Sequence, residues 1–466
     1  MGRWFPLVAL VAVLALGAQA CSETSQETSK PPAPARPAPA PEAPPPAPVV
    51  EVAVRDGDTS KPIAGASVRV AGAEAPVDEH GVAELVPRAR AKLRVVAPGY
   101  GARTVRVNFR RKPVQRVDLW RPETQWPIYG AVPSRTQAHP KIALRPPFRV
   151  VWHRYMGSLL EFPAVVWNGV AYANNMGGIL QALSMKTGRV LWRQWTGRRM
   201  ASSPGIDPGR RVLVTTSMKP GDARVISMDT GKILWRFSTG RAEPSPVIRD
   251  GIAYFGAENG NVYALDLDKR RPRWVFHGGV KITGSPALVG KRLYIGDYAG
   301  RVFALDTRNG HRLWTGSAGS RVYGTIAAAG GRLFVPSVFS GLSALSARSG
   351  RLLWRIPVGA YLYSSPAAYR GRVYFGAYTG SVYAASASSG RILWSRSAGG
   401  SVSGAVEVVG GRVYAASFAG RITAWDWRSG RTVWTFSDGR YVAVSGNGAR
   451  LLLHGKRTIY AVVPKR

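Results

Sequence analysis

Eight tryptophans stand at Trp152, Trp192, Trp235, Trp274, Trp314, Trp354, Trp394 and Trp434, with successive gaps of 40, 43, 39, 40, 40, 40 and 40. A spacing kept over so many intervals marks a repeated supersecondary unit rather than an ordinary single domain. Most of these tryptophans close a similar phrase, as in VFALDTRNGHRLW at Trp314 and LSALSARSGRLLW at Trp354. One unit reads as four short strands, GSPALVG, RLYIGD, RVFALD and HRLW, with turns at Gly290, Gly300 and Gly310. A four-stranded antiparallel unit of this length cannot cover both of its faces, so it stacks on copies of itself, and radial stacking gives a propeller. The tryptophans then belong to packing between blades.

The blade number follows from where the pattern starts and stops. PFRVVW, ending at Trp152, is a lone last strand, and YVAVSG, RLLLHG and TIYAVV after Trp434 are three strands lacking a fourth. Seven internal units and this composite one predict an eight-bladed β-propeller over residues 123–466, a monomeric ring closed by pairing its two ends, which removes exposed sheet edges. Ahead of it, residues 49–122 carry the alternating runs VVEVAV, ASVRVAG, GVAELV, KLRVVA, RTVRVNF and QRVDLW, which predict a small Greek-key β-sandwich in an all-β chain. This stretch resembles the carboxypeptidase regulatory-like domains in its Pro62-Ile63-Ala64-Gly65-Ala66 start, its Asp78-Glu79-His80-Gly81 turn and its Ala97-Pro98-Gly99-Tyr100 end. The resemblance implies a non-catalytic spacer or contact module.

The first twenty residues read as a signal peptide: Arg3 gives the charge, residues 7–16 an apolar core, and Ala18-Gln19-Ala20 a small-residue cleavage site. Cys21 follows at once and is the single cysteine of the chain, so no disulfide framework is possible. Ala20-Cys21 resembles the end of the lipobox of bacterial lipoproteins, which implies a lipidated Cys21, although Ala18 and Gln19 depart from that pattern and an ordinary Ala-x-Ala cleavage also fits. Residues 21–48 contain PPAPARPAPAPEAPPPAP, a composition that cannot bury enough apolar surface to fold and that favours extended conformations. The chain is thus expected to be exported and lipid-anchored to the cell membrane or outer membrane, facing the extracytoplasmic side.

The phrase A-x-D-x-x-x-G-x-x-x-W, complete from Ala304 to Trp314 and partial from Ala264 to Trp274, resembles the repeat of pyrroloquinoline quinone (PQQ) dehydrogenases and their non-enzymatic relatives. The lead-in Gln125-Trp126-Pro127-Ile128-Tyr129-Gly130 is similar to the entry segment of those relatives, among them a lipoprotein scaffold of the outer-membrane barrel-assembly machinery. The resemblance leaves two function classes. An enzyme of this family implies a quinone, in many members a vicinal cysteine pair, a Ca²⁺ held by acidic and amide oxygens, and a catalytic Asp. No cysteine follows Cys21, and the repeated Asp229, Asp266, Asp306 and Asp426 precede turn glycines, where Asp more often accepts from backbone amides. A non-enzymatic binding protein or scaffold without a cofactor is therefore expected, with a PQQ-dependent sugar or alcohol dehydrogenase as the alternative.

Charge bears on the partner. The chain has 64 Lys and Arg against 26 Asp and Glu, a net +38, and such a field attracts polyanions. Arg far outnumbers Lys, the balance expected when codon bias sets composition, and an even spread would mean little beyond solubility. An envelope protein or an anionic envelope polymer is the expected partner, ahead of nucleic acid. In a propeller the loop entering the innermost strand and the loop between the second and third strands share a face. Read at matched positions of successive repeats, the first gives Arg241, Lys281, Arg321, Tyr361, Ser401 and Tyr441, and the second Tyr298, Tyr378 and Phe418, with Phe339 one place off. A basic arc beside an aromatic arc predicts a site for an anionic, partly apolar ligand or an acidic peptide.

Overall fold

The computed structural model describes residues 49–71, 73–86, 90–110 and 114–465. The expected signal peptide, Cys21 and the proline-rich stretch to residue 48 lie outside the described residues. Apart from one 3-10 turn at Pro122–Thr124, regular structure among the described residues is all strand.

Residues 49–119 form two sheets. In one, Val50–Asp56 lies between an antiparallel Val82–Leu85 and a parallel Val114–Leu119. The other runs in the order Ala73–Pro76, Ser67–Val70, Arg90–Val96, Arg103–Asn108. Strand period two turns Val50, Val52 and Val54 inward against Val68, Leu93, Val95 and Leu119. Trp120 then leaves this unit and lays its ring on Gly169, in the first turn of the propeller, where a Cβ would stand 2.5 Å from the indole. Only glycine admits that contact.

Eight sheets follow among the described residues. Seven are meanders of the kind seen in Ala287–Val289, Arg292–Gly296, Arg301–Asp306 and Arg312–Ser317, the fourth of the series. The eighth joins Val444–Gly446, Leu451–His454 and Thr458–Pro464 to Phe148–Tyr155 from the start of the segment, so the two ends pair antiparallel. The two middle strands of each sheet are buried on both sides by neighbouring sheets, hence their nearly unbroken apolar runs. In the seventh sheet Ala138–His139 adds a parallel fifth strand beside Glu407–Val409, a departure from the four strands expected. Its cause is the lead-in, which runs across four innermost strands and accepts one N–H from each: Leu288, Ala328, Ala368 and Val408 donate to the carbonyls of Pro133, Ser134, Thr136 and Gln137. Those edge N–H groups face the axis, away from any sheet partner, and the crossing chain satisfies them.

Trp314 sits opposite Ala304 of the third strand, and a bulge follows at the next residue. The other periodic tryptophans also face an alanine, except Trp235, which faces Val225. The Trp314 indole N–H donates to the Ala347 carbonyl of the next sheet at 3.3 Å, and its ring covers Gly350. Trp152, Trp192, Trp274, Trp354 and Trp394 make the same bond to Met185, Met228, Thr307, Ala387 and Trp427. The turn that follows Trp235 has Arg270 in the left-handed region where the others have glycine, and Trp434 packs edge-on against Phe148, 5.3 Å away, in the closing sheet.

Candidate functional site

Meander order fixes two faces. The connection between second and third strands and the connection to the next sheet share one end of the strands, around the mouth of the central channel. The turns between first and second and between third and fourth strands share the other.

At the mouth one backbone bond recurs in five successive repeats: Glu258, Tyr298, Val338, Tyr378 and Phe418 donate N–H to the carbonyls of Arg241, Lys281, Arg321, Tyr361 and Ser401, at 2.8–3.0 Å. This bond holds the two loop positions read from the repeat beside each other. Their side chains form a continuous arc. Arg321 stands 5.3 Å above Tyr298 and 5.6 Å above Phe339; Phe339 meets Tyr361 at 5.4 Å, Tyr361 meets Tyr378 at 6.2 Å, Tyr378 meets Phe418 at 5.9 Å and Phe418 meets Tyr441 at 5.2 Å. Most of these contacts are edge-to-face, the favoured geometry for such rings. Phe339, Tyr361 and Tyr378 remain 62%, 46% and 38% exposed. Arg440, absent from the sequence reading, caps the far end 4.7 Å above Phe418.

The basic arc needs correction. Arg241 pairs with Glu258 at 3.1 Å, and Lys281 pairs with Glu258 at 3.1 Å and Glu243 at 3.7 Å. Of the three cations, only Arg321 joins no ion pair among the described residues. The two carboxylates were reachable in the sequence: Glu258 occupies the position of Tyr298 one repeat earlier, and Glu243 follows closely on the entry position Arg241. Burial and a hydrogen bond with Glu258 push the Glu243 carboxyl up, while hydrogen bonds to Glu243 and Lys281 more than offset burial for Glu258 and hold it down. The two carboxyls therefore titrate as a coupled pair, in which Glu243 holds a proton more tightly than Glu258.

Below this rim the channel narrows. Successive sheets contribute Glu161, Ala201, Glu243, Thr283, Tyr323, Tyr363, Ser403 and Tyr441 to the wall of a cavity of about 50 Å³, and Tyr129 of the lead-in forms its floor. The Tyr129 hydroxyl donates to Ser365 Oγ at 3.0 Å. One level down, hydroxyls stitch sheet to sheet: the N–H groups of Ser203, Ser245, Ser285 and Thr325 donate to Ser245, Ser285, Thr325 and Ser365 at 2.9–3.2 Å.

A cavity of this size holds a water or two, whereas sites for small organic ligands occupy about 300–1,000 Å³, so the throat does not fit a quinone. The repeated aspartates are engaged in their own turns. Asp266 accepts from the N–H of Asp268 and Lys269, Asp306 from that of Arg308, and Asp426 from those of Arg428 and Ser429, while Asp229 differs in pairing with the Arg211 guanidinium.

A family model described as outer membrane protein assembly factor BamB matches residues 176–322 and again 317–435. No curated protein matches the sequence. Among solved structures, BamB from Moraxella catarrhalis superposes with a TM-score of 0.59 at 17% identity, over 69% of this chain and 99% of that one. The quinohemoprotein alcohol dehydrogenase from Comamonas testosteroni gives 0.62 at 14%, over 74% and 81%. The computationally designed Ika8 protein gives 0.60 at 14%, over 67% and 98%. At such identities these likenesses show the fold, which scaffold and dehydrogenase share. With the family model covering more than half of the sequence and the ring of sheets behind it, the chain belongs to the family of PQQ-like β-propellers described by the outer membrane protein assembly factor BamB.

Proposed function

We propose that the protein is a non-enzymatic binding protein or scaffold of the cell envelope that holds a partner protein against the mouth face of its propeller. The observation that carries this reading is the aromatic arc from Tyr298 to Tyr441, with three exposed rings and, at each end, an arginine that joins no ion pair among the described residues. Tyrosine, phenylalanine and arginine around a rigid rim are the composition of protein-binding hot spots. The family match supports an envelope partner. A lipid on Cys21, with residues 22–48 as tether and the sandwich as spacer, would keep that face at the envelope.

The test is a pull-down from envelope extract with the tagged full chain and with the variant Phe339→Ser, Tyr361→Ala, Arg321→Glu. All three side chains are exposed, so the melting temperature should hold while capture of the partner falls at least tenfold. Undiminished capture would overturn the reading. So would stoichiometric heat on titrating PQQ with Ca²⁺, which would make the chain a dehydrogenase without the cysteine pair. Reversing Arg241 or Lys281 is the poorer test, since it strands Glu243 and Glu258 as well.

A further inference from the structure

The charge surplus is not spread evenly. Counted strictly between strand ends over the described residues, the connections on the mouth face hold nine Lys or Arg against five Asp or Glu, and the turns on the opposite face sixteen against three, while Asp207, Asp266, Asp306 and Asp426 stand at the adjoining strand ends together with Arg249, Arg292 and Arg372. The sandwich covers the opposite face near Gly169, Lys186 and Arg450. From the third sheet to the seventh the lead-in touches this face at Gly410, through Ile142 and Arg145, and ten of the twelve charged residues in the turns are Lys or Arg.

Two local features sharpen the picture. Between the third and fourth sheets lies a cavity of about 310 Å³ whose wall includes Arg249, Arg273, Lys291 and Arg308 with one carboxylate, Asp250. Arg308 and Arg273 are engaged with Asp306 and Asp266. Arg249 donates to the Gly290 carbonyl at 2.6 Å, and neither it nor Lys291 joins an ion pair among the described residues. Further round, Arg428, Arg372 and Arg370 surround the half-buried Trp427 ring at 4.8, 5.2 and 5.8 Å.

We propose that this face, from the third sheet to the seventh, seats the propeller on an anionic bilayer, with one lipid phosphate entering the cavity between the third and fourth sheets. Turns that end successive blades of one ring form a broad disc. A disc of exposed cations complements a plane of phosphates better than it complements a single polymer strand, which is tracked by a stripe or groove. An indole among arginines is an interfacial anchor. The binding is independent of the mouth, which stays open to a protein partner on the other side.

The experiment uses the full chain carrying Cys21→Ser, so that no acyl chain contributes, and sedimentation with phosphatidylcholine vesicles with and without phosphatidylglycerol. The parent should bind the anionic vesicles only, and lose them as salt rises. The variant Lys291→Glu, Arg348→Glu, Arg351→Glu, in exposed turns, should lose about a hundredfold in partitioning. The mouth-face variant Arg198→Glu, Lys456→Glu, Arg457→Glu carries the same change in net charge and should lose less than about threefold. Equal losses, absence of parent binding, or binding of duplex DNA in place of vesicles would each overturn the proposal. Without any variant, vesicles should shield Lys269 and Lys291 from an amine-reactive reagent while Lys219 and Lys456 react as in solution; the reverse pattern also overturns it.

Discussion

At the level of single residues, the tryptophan and the turn glycine of the next sheet form one contact. Gly350 and Gly371 share a φ of +75°, yet a Cβ on Gly350 would lie 2.5 Å from the Trp314 ring, whereas one on Gly371 meets nothing within 4 Å. Both alanine variants bear the strain of a left-handed backbone, about 1 kcal/mol. Only Gly350→Ala also displaces an indole, which adds about 1–3 kcal/mol. Denaturant midpoints should therefore separate the two by that second amount, and equal shifts would deny the Trp314 ring its role in joining sheets. The periodic tryptophans were plain in the sequence because a repeat shows itself by recurrence. Their partners were less plain, since the bonded carbonyl lies most of a repeat away, in the next sheet, and belongs to the backbone, which carries no letter.

At the level of the element, the lead-in acts as a plug. Arg135 is fully buried, and its guanidinium donates to the carbonyls of Tyr129, Ser245 at 2.7 Å and Pro286 at 3.0 Å, tying the plug to two entry loops. Burial holds its pKa down to about 9, and carbonyl dipoles stand in for a carboxylate. Arg135→Met would leave those carbonyls unsatisfied, at a cost of about 2–4 kcal/mol, and Arg135→Lys, which restores one or two of the bonds, should fall between. A urea midpoint unchanged in Arg135→Met would show the plug to be dispensable. The sequence displayed residues 125–130 as a recognisable phrase. It did not display the path across four innermost strands, because that path is set by edge N–H groups which exist only once the ring has formed.

For the whole molecule, the sandwich and the propeller meet around Asp58, whose carboxylate accepts from Thr124 Oγ1 at 2.6 Å and lies against Gly448. Burial pushes the Asp58 carboxyl from 3.8 up to about 6 despite that bond. A folded value above the unfolded one means that the protonated form is favoured in the folded state. The contribution of this group is fully present below about pH 4 and is lost as pH rises through about 6. Asp58→Asn should remove that dependence and exceed the parent in stability by about 3 kcal/mol at most at pH 8. Melting curves of the two proteins that run parallel from pH 4 to 8 would refute it. Taken alone, the sequence determined the all-β class, the four-strand unit, the pairing of the ends and the aromatic positions of the mouth, because each is a property of spacing, and spacing survives without coordinates. Tertiary structure alone decided which cations are free and where the surplus charge lies. An ion pair such as Lys281 with Glu243 joins neighbouring sheets across nearly a whole repeat, and the two faces of a ring differ in charge only after every turn has been assigned to one end of its strands.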